Sequence, residues 1–365
     1  MRAAVLQGVN EGLVIEELRE PAPRPGEVLL DVRACGVCHT DLHVMRGEVA
    51  FPLPAVLGHE VSGVVSALGE GVRGVRVGEP VVAAFIMPCG TCYRCVRGED
   101  DLCETFFAMN RLRGTLYDGE TRLHRGDGSA VSMYSMGGLA ERCVVPATDV
   151  FPIPEPLELP AVATVGCSVL TAYGAVRNVG EVRPGDAIAV VATGGVGSAI
   201  IQVAAAYGAA PIIAIDIDER KLGRALELGA THALPADDAV VEAVRELTGG
   251  RGVDVSFEAL GSAATFSTAA AIVADGGALV VVGIAPGGVT GAIDLSRLPR
   301  RKLRILGSYG GRVRQDMPAI LELVARGQLR PAELVSRHYG LEQADTAYSA
   351  LGRGEIVGRA VIDIS

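Results

Sequence analysis

Cys38, His59 and Glu60 carry the first chemistry in this sequence. They lie in CGVCHTDLHVMRGEVAFPLPAVLGHE, residues 35 to 60, with Gly58 directly before the His-Glu pair. Cysteine thiolate and histidine imidazole are ligands that zinc prefers. An acid beside the histidine can orient it or enter the coordination shell. A catalytic zinc takes about three protein ligands and keeps one position open for water or substrate. The spacing therefore predicts a third soft ligand from elsewhere, and Cys167 in VGCSVLTAYG is the candidate. Taken singly, each residue also suits a plain structural role, Cys38 as a small buried hydrophobe and His59 as a core histidine.

A second group is Cys89, Cys92, Cys95 and Cys103, spaced C-x2-C-x2-C-x7-C. Four thiolates this close, with tight turns between them, can close a tetrahedral shell with no open position, which describes a structural zinc site. Two disulfides or an iron–sulfur cluster are the alternatives; a reducing compartment disfavours the first and the spacing the second. The metal would supply much of the folding energy of a lobe spanning about residues 88–104. Cys35 and Cys143 read as buried thiols.

The third feature is Thr193-Gly194-Gly195-Val196-Gly197 between the apolar run Ala187–Val191 and a helical pattern, Ser198–Tyr207. Gly195 permits close approach of backbone to a pyrophosphate, and Gly197 lets helix pack on strand, with the helix N-terminus facing the anion. Asp216 follows about twenty residues on, at the end of the strand Pro211–Asp216, where its carboxylate suits ribose hydroxyls and repels a 2′-phosphate. NAD is expected rather than NADP. Ala192 stands where the fingerprint starts with glycine, and is expected to fit through a negative φ.

The elements that must position these groups fall into two grammars. Residues 1–34 and 61–82 read as short strands punctuated by Pro and Gly. From about Ala187 apolar strands alternate with helices, Glu219–Leu228, Asp237–Leu247 and Ala263–Ala274 among them, as a parallel doubly wound sheet requires. The fold expected is α/β, with a β-rich domain from 1–168 and 310–365 and a nucleotide-binding domain, 169–309, inserted in it. Residues 104–138 read as surface loops whose Arg111, Arg113, Arg122 and Arg125 form a solvated face, or of which one meets an anionic substrate group. A proline-rich crossing, PATDVFPIPEPLELP, joins the domains.

Bulk properties exclude several classes. The chain has 365 residues, a formal charge of −10 and no tryptophan, and shows no basic cluster. Nucleic acid is not an expected partner. The N-terminus lacks the apolar core of a signal peptide. The most apolar run, Ala187 to Ala206, contains the glycine turn and Gln202 and suits strand, turn and helix better than a bilayer span. A cytoplasmic, reducing setting is expected for its eight cysteines.

Together these motifs resemble the zinc-dependent medium-chain alcohol dehydrogenase family, nearly end to end: GHE at 58–60, the four-cysteine lobe, Gly166-Cys167, TGGVG and the C-terminal GRAVI. RGTLYDGETRL looks like its class I and class III members. The resemblance implies a GroES-like catalytic domain, a Rossmann domain, two zincs per chain, NAD, and a homodimer or homotetramer acting on a small alcohol or aldehyde. It also implies roles. Cys38, His59 and Cys167 would hold the catalytic zinc, with Glu60 behind it and Asp41 orienting the histidine. Thr40 would take the substrate proton and His43 pass it outward. Thr171 and Val196 would face the nicotinamide, Lys221 would serve the cofactor with Gly194 and its neighbours, and Phe85 would wall the substrate pocket. Arg359 would meet the pyrophosphate, and His39 replaces a second arginine there. Thr40 and Asp41 would equally serve as helix caps. The implied reaction has zinc lowering the pKa of an alcohol that gives hydride to the nicotinamide. A zinc-independent enone or enoyl-thioester reductase, or a non-catalytic zinc- and NAD-binding protein, are the competing readings.

Overall fold

The computed structural model describes residues 1–154 and 157–364. Two residues of the proline-rich crossing, Glu155 and Pro156, lie outside the described residues. The chain forms two units. The first comprises Met1–Leu170, Arg312–Arg326 and Val335–Ser365; the second comprises Thr171–Gly311 and Gly327–Leu334.

In the first unit the short alternating runs become two sheets. One orders its strands Leu13–Glu17, Arg2–Leu6, Ala55–Val56, Ala130–Met133 and Leu123–His124. The other runs Val150–Pro152, Pro80–Ala83, Val61–Leu68, Glu27–Val37, Arg359–Asp363 and Val335–Gly340, with Arg142–Pro146 also pairing Glu27–Val37. The C-terminal strand thus sits inside this sheet. It pairs antiparallel with Glu27–Val37, Ile362 opposite Cys35, and parallel with Val335–Gly340. Within it Ala360, Val361 and Ile362 are fully buried.

In the second unit six parallel strands take the order His232–Pro235, Ile212–Asp216, Ile188–Val191, Val253–Glu258, Val273–Val281 and Arg304–Gly307. The order reverses direction between Ile188–Val191 and its neighbours, the switch point at which ligands bind in such sheets. Helices Gly195–Ala206, Glu219–Glu227, Val240–Leu247 and Ala263–Ala271 connect the strands. The helix after the glycine turn begins at Gly195, inside the turn, rather than at Ser198. Val240, Val244, Ile213, Ile215 and Leu279 belong to one apolar core within this unit.

Sequence reasoning assigns all of 310–365 to the first domain. Gly327–Leu334 instead belongs to the second unit. Gln202 explains it: its side chain donates to the Arg330 carbonyl at 3.2 Å and accepts from the Arg330 N–H at 3.1 Å. Among the described residues no single helix is long and apolar enough to cross a membrane.

Candidate active site and metal centres

The strand Glu27–Val37 runs directly into the helix His39–Met45, and Cys38 is the joint. His59 and Glu60 precede the next strand, Val61–Leu68. Cys167 follows the turn Ala163–Gly166. Gly166 is needed there, since a Cβ would fall 2.0 Å from the Ala83 carbonyl oxygen. Through these three joints one ligand atom from each of Cys38, His59, Glu60 and Cys167 comes within 4.8 Å of the others, and all four residues are buried. Sequence positions more than a hundred residues apart thus converge on one point.

The donor set fits a metal ion. His59 Nδ1 lies 2.9 Å from Asp41 Oδ1, which makes Nδ1 the donor and leaves Nε2 as the nitrogen that would bind a metal once deprotonated. That Nε2 is buried and has no hydrogen-bond partner in the protein. A buried polar atom without a partner costs free energy unless something else binds it. Burial works to lower the His59 pKa, but the Asp41 charge and Cys38 push it up to about 9. Cys38 is held well below the usual thiol range, chiefly by a hydrogen bond from Cys167. A thiolate beside an imidazolium is the charge pattern that a cation would take over, with release of the proton.

Asp41 is wholly buried, and both of its oxygens are engaged. Oδ1 accepts from His59 and, at 3.2 Å, from the Gly58 N–H, while Oδ2 accepts from Tyr348 at 2.8 Å. Burial and the Asp41 charge push the Tyr348 phenol well above its usual value, so it remains a donor. The capping alternative does not hold: Cys38 is the N-cap of the His39–Met45 helix and no side chain caps it. Thr40 Oγ1 lies 3.6 Å from Cys38 Sγ. His43 is hydrogen-bonded through Nδ1 to Glu48. His39 is exposed at the start of the helix.

Glu60 forms a buried ion pair with Arg359, whose residue is 4% exposed. The arginine that the resemblance assigns to a pyrophosphate therefore engages the acid of the buried Cys38, His59 and Cys167 cluster. Phe85 is buried and meets the His59 ring edge-on at 6.0 Å between centroids, and Tyr134 does so at 6.1 Å.

The arginines of 104–138 depart from the expected solvated face. The Arg111 guanidinium lies 4.1 Å above the Tyr134 ring, 5.1 Å from that of Phe106 and 6.0 Å from that of Phe85, where cation–π attraction offsets its loss of water. Arg122 is buried against Glu27 and Asp118. Arg125 pairs with Glu16. Of the four, Arg113 is the exposed one.

The four-cysteine lobe draws its sulfurs together likewise, within 4.8 Å of one another. Backbone N–H groups point at them: Cys92 N to Cys89 Sγ at 3.3 Å, Cys95 N to Cys92 Sγ at 3.5 Å and Phe106 N to Cys103 Sγ at 3.4 Å. Burial works to raise Cys89, but hydrogen bonds from Thr105, Thr91 and Cys92 bring it down to about 6, whereas burial pushes Cys103 up to about 11. None of the eight cysteines is disulfide-bonded in the structure. Arg314, from the helix Val313–Ala325, grips the lobe through Asp100 Oδ1 at 2.6 Å and the Cys95 carbonyl at 2.6 Å.

In the second unit, Asp216 ends its strand with both carboxylate oxygens engaged. Oδ2 accepts from the Thr193 N–H at 2.7 Å and its hydroxyl at 3.2 Å, and Oδ1 accepts from the Asp218 N–H at 3.0 Å. A carboxylate has roughly four acceptor sites, so capacity remains for a diol. A Cβ on Gly197 would fall 2.1 Å from the Ala192 carbonyl, which explains the glycine. Ala192 does not adopt the negative φ expected of it: its φ is 73°, left-handed. Its N–H is held by the Ile215 carbonyl at 2.8 Å, so the turn imposes the conformation. Gly194 caps the following helix, whose first turn holds Gly195 and Val196. Lys221 lies in Glu219–Glu227, and Thr171 is 9% exposed. Tyr348 and Arg314 escaped sequence reading, since neither carries a local motif.

Known proteins resemble this chain throughout. Residues 24–155 match the alcohol dehydrogenase GroES-like domain model and residues 195–326 the zinc-binding dehydrogenase model. An NDMA-dependent alcohol dehydrogenase of Amycolatopsis methanolica is 35% identical, over 99% of this chain and 98% of its own. Among solved structures, an alcohol dehydrogenase zinc-binding domain protein from Burkholderia ambifaria is 34% identical with a TM-score of 0.94, covering 100% of this chain and 98% of its own. Benzyl alcohol dehydrogenase from Acinetobacter calcoaceticus is 29% identical with a TM-score of 0.92, covering 100% and 99%.

Proposed function

The chain belongs to the zinc-type medium-chain alcohol dehydrogenase family, and from that membership we propose its reaction: reversible, NAD-linked oxidation of an alcohol at a zinc held by Cys38, His59 and Cys167. The observation that carries the zinc is the unpartnered, buried His59 Nε2 facing two cysteine sulfurs. Three such protein ligands leave a position open, as catalysis requires. Cys89, Cys92, Cys95 and Cys103 would hold a second, structural zinc. When bound, zinc would supply the Lewis acidity that lowers the alcohol's pKa, and NAD would supply the hydride acceptor.

The chain's own residues then have separable tasks. Asp41 fixes the His59 tautomer by holding Nδ1–H. Thr40, beside Cys38, would take the hydroxyl proton, and the partly exposed His43 would pass it to solvent. Phe85 and Tyr134 would exclude water from the reacting atoms. Arg359 pairs with Glu60 at the edge of the cluster. Asp216 would accept the adenosine ribose hydroxyls, favouring NAD over NADP. Gly194, Gly195, Val196 and Gly197 would cradle the pyrophosphate, with Lys221, Thr171 and His39 as further cofactor contacts. A cytoplasmic setting, where cysteines stay available as metal ligands, and a homodimer or homotetramer are what we expect.

The rings beside His59 favour a flat, apolar alcohol, and Arg111 above Tyr134 makes a carboxylate-bearing analogue the informative comparison. The test is metal analysis together with turnover of benzyl alcohol and of 4-carboxybenzaldehyde, with NAD(H), NADP(H) and NDMA as separate arms. Two zincs per chain and NAD-linked turnover are expected. Cys38→Ala and Cys167→Ala should abolish turnover and leave one zinc, while NADH still binds. Near-normal activity in either variant overturns the assignment.

A further inference from the structure

The Ala344–Gly352 helix packs on the His39–Met45 helix. At its start Asp345 accepts the Leu13 N–H at 3.0 Å. At its end Gly352 lies so close to Arg46 that a Cβ would fall 2.7 Å from Nη2. Midway, Tyr348 is fully buried and donates its hydroxyl to Asp41 Oδ2. A buried ionised carboxylate is tolerated only when its lone pairs are taken. Asp41 has two oxygens and two tasks: Oδ1 faces His59 and Gly58, and Oδ2 faces Tyr348. Without the phenol, Oδ2 is bare in an apolar setting. The carboxylate then gains by rotating toward another donor, and the His59 ring loses its fixed partner.

We infer that Tyr348 is a positioning residue for the catalytic metal: it holds Asp41 in one rotamer, Asp41 holds the His59 ring with Nε2 forward, and the pair sets how long zinc stays bound. This rests on the zinc reading above and adds to it a residue from a helix distant in sequence from every ligand. Partners of this kind change metal affinity or activity by about 10- to 100-fold.

Tyr348→Phe removes the hydroxyl and keeps the ring. Zinc release from the full-length protein to a chromophoric chelator resolves two phases, one per site. The catalytic phase of Tyr348→Phe should accelerate by about 10-fold or more, while the four-cysteine phase and NADH affinity stay at wild-type values. Asp41→Asn should accelerate the same phase, and adding Tyr348→Phe to it should contribute little more, because the two act in series. Equal release in Tyr348→Phe and wild type overturns the inference, as does equal acceleration of both phases, which would mark general loosening. A wild-type protein that holds one zinc would overturn the zinc reading itself and is distinguishable from either result.

Discussion

Ala192→Gly should make this protein more stable, although glycine ordinarily weakens a fold. Ala192 has a φ of 73°, with its N–H tied to Ile215 and its carbonyl abutting Gly197. A left-handed backbone costs a residue with a Cβ about 1–2 kcal/mol, and glycine essentially nothing. The freer unfolded chain takes back about 0.4–1 kcal/mol. The net gain is about 0.5–1 kcal/mol, or roughly 1–4 °C in Tm for a unit of about 150 residues. Differential scanning calorimetry of both proteins, with Ala192→Val as the opposite perturbation, reads it. Valine is β-branched and should destabilise by more than 1 kcal/mol, as an order-of-magnitude expectation. NADH affinity should be unchanged in Ala192→Gly, since the anion-facing N–H groups belong to the following residues. If glycine lowers Tm while valine leaves it alone, the backbone at 192 is right-handed and the reasoning fails.

Other outcomes follow from the buried charges. Burial pushes the Asp149 acid well above the usual carboxylate range. An unfolded aspartate ionises near pH 4, so above that the folded state binds more protons and stability falls as pH rises toward the folded pKa. Asp149→Asn should thus raise Tm more at pH 8 than at pH 5, and a pH-independent difference would refute it. Arg314→Ala strips a buried Asp100, 1% exposed, of its partner; a loss of about 2–3 kcal/mol and quicker chelation of the four-cysteine lobe are expected in denaturation and zinc-release assays, with Arg314→Lys recovering part. His39→Arg should slow NADH dissociation measured by stopped-flow fluorescence, because a permanent cation replaces an imidazole; an unchanged rate would count against a cofactor role for position 39.

What could be read from the sequence was local or periodic. The cysteine lobe has all its ligands within one short stretch, so spacing alone exposes it. The parallel sheet announces itself by apolar strands alternating with helices, and Asp216 by its place at a strand end. Cys38, His59 and Cys167 were legible because each has an unusual neighbour, a threonine-aspartate pair or a glycine that lets the chain turn. Tyr348 was not, because a tyrosine in an amphipathic helix looks like any core aromatic until Asp41 is opposite it. The Arg111 environment was misread for a related reason: charge suggests solvent, and only tertiary structure reveals three rings around a guanidinium. The φ of Ala192 was mistaken because side-chain identity argues for negative φ, while the hydrogen bond to Ile215 decides otherwise.

The strand Arg359–Asp363 lies between two others inside its sheet and delivers Arg359 to Glu60. During synthesis Cys38, His59, Cys167 and the four-cysteine lobe therefore leave the ribosome long before the segment that completes the unit around them. The second unit, encoded between, has all of its strands available by Gly307. Order of completion is thus the reverse of order of starting: the unit that begins first is finished last, and a nascent chain halted shortly before residue 359 would carry both cysteine clusters in a unit whose larger sheet lacks an inner strand.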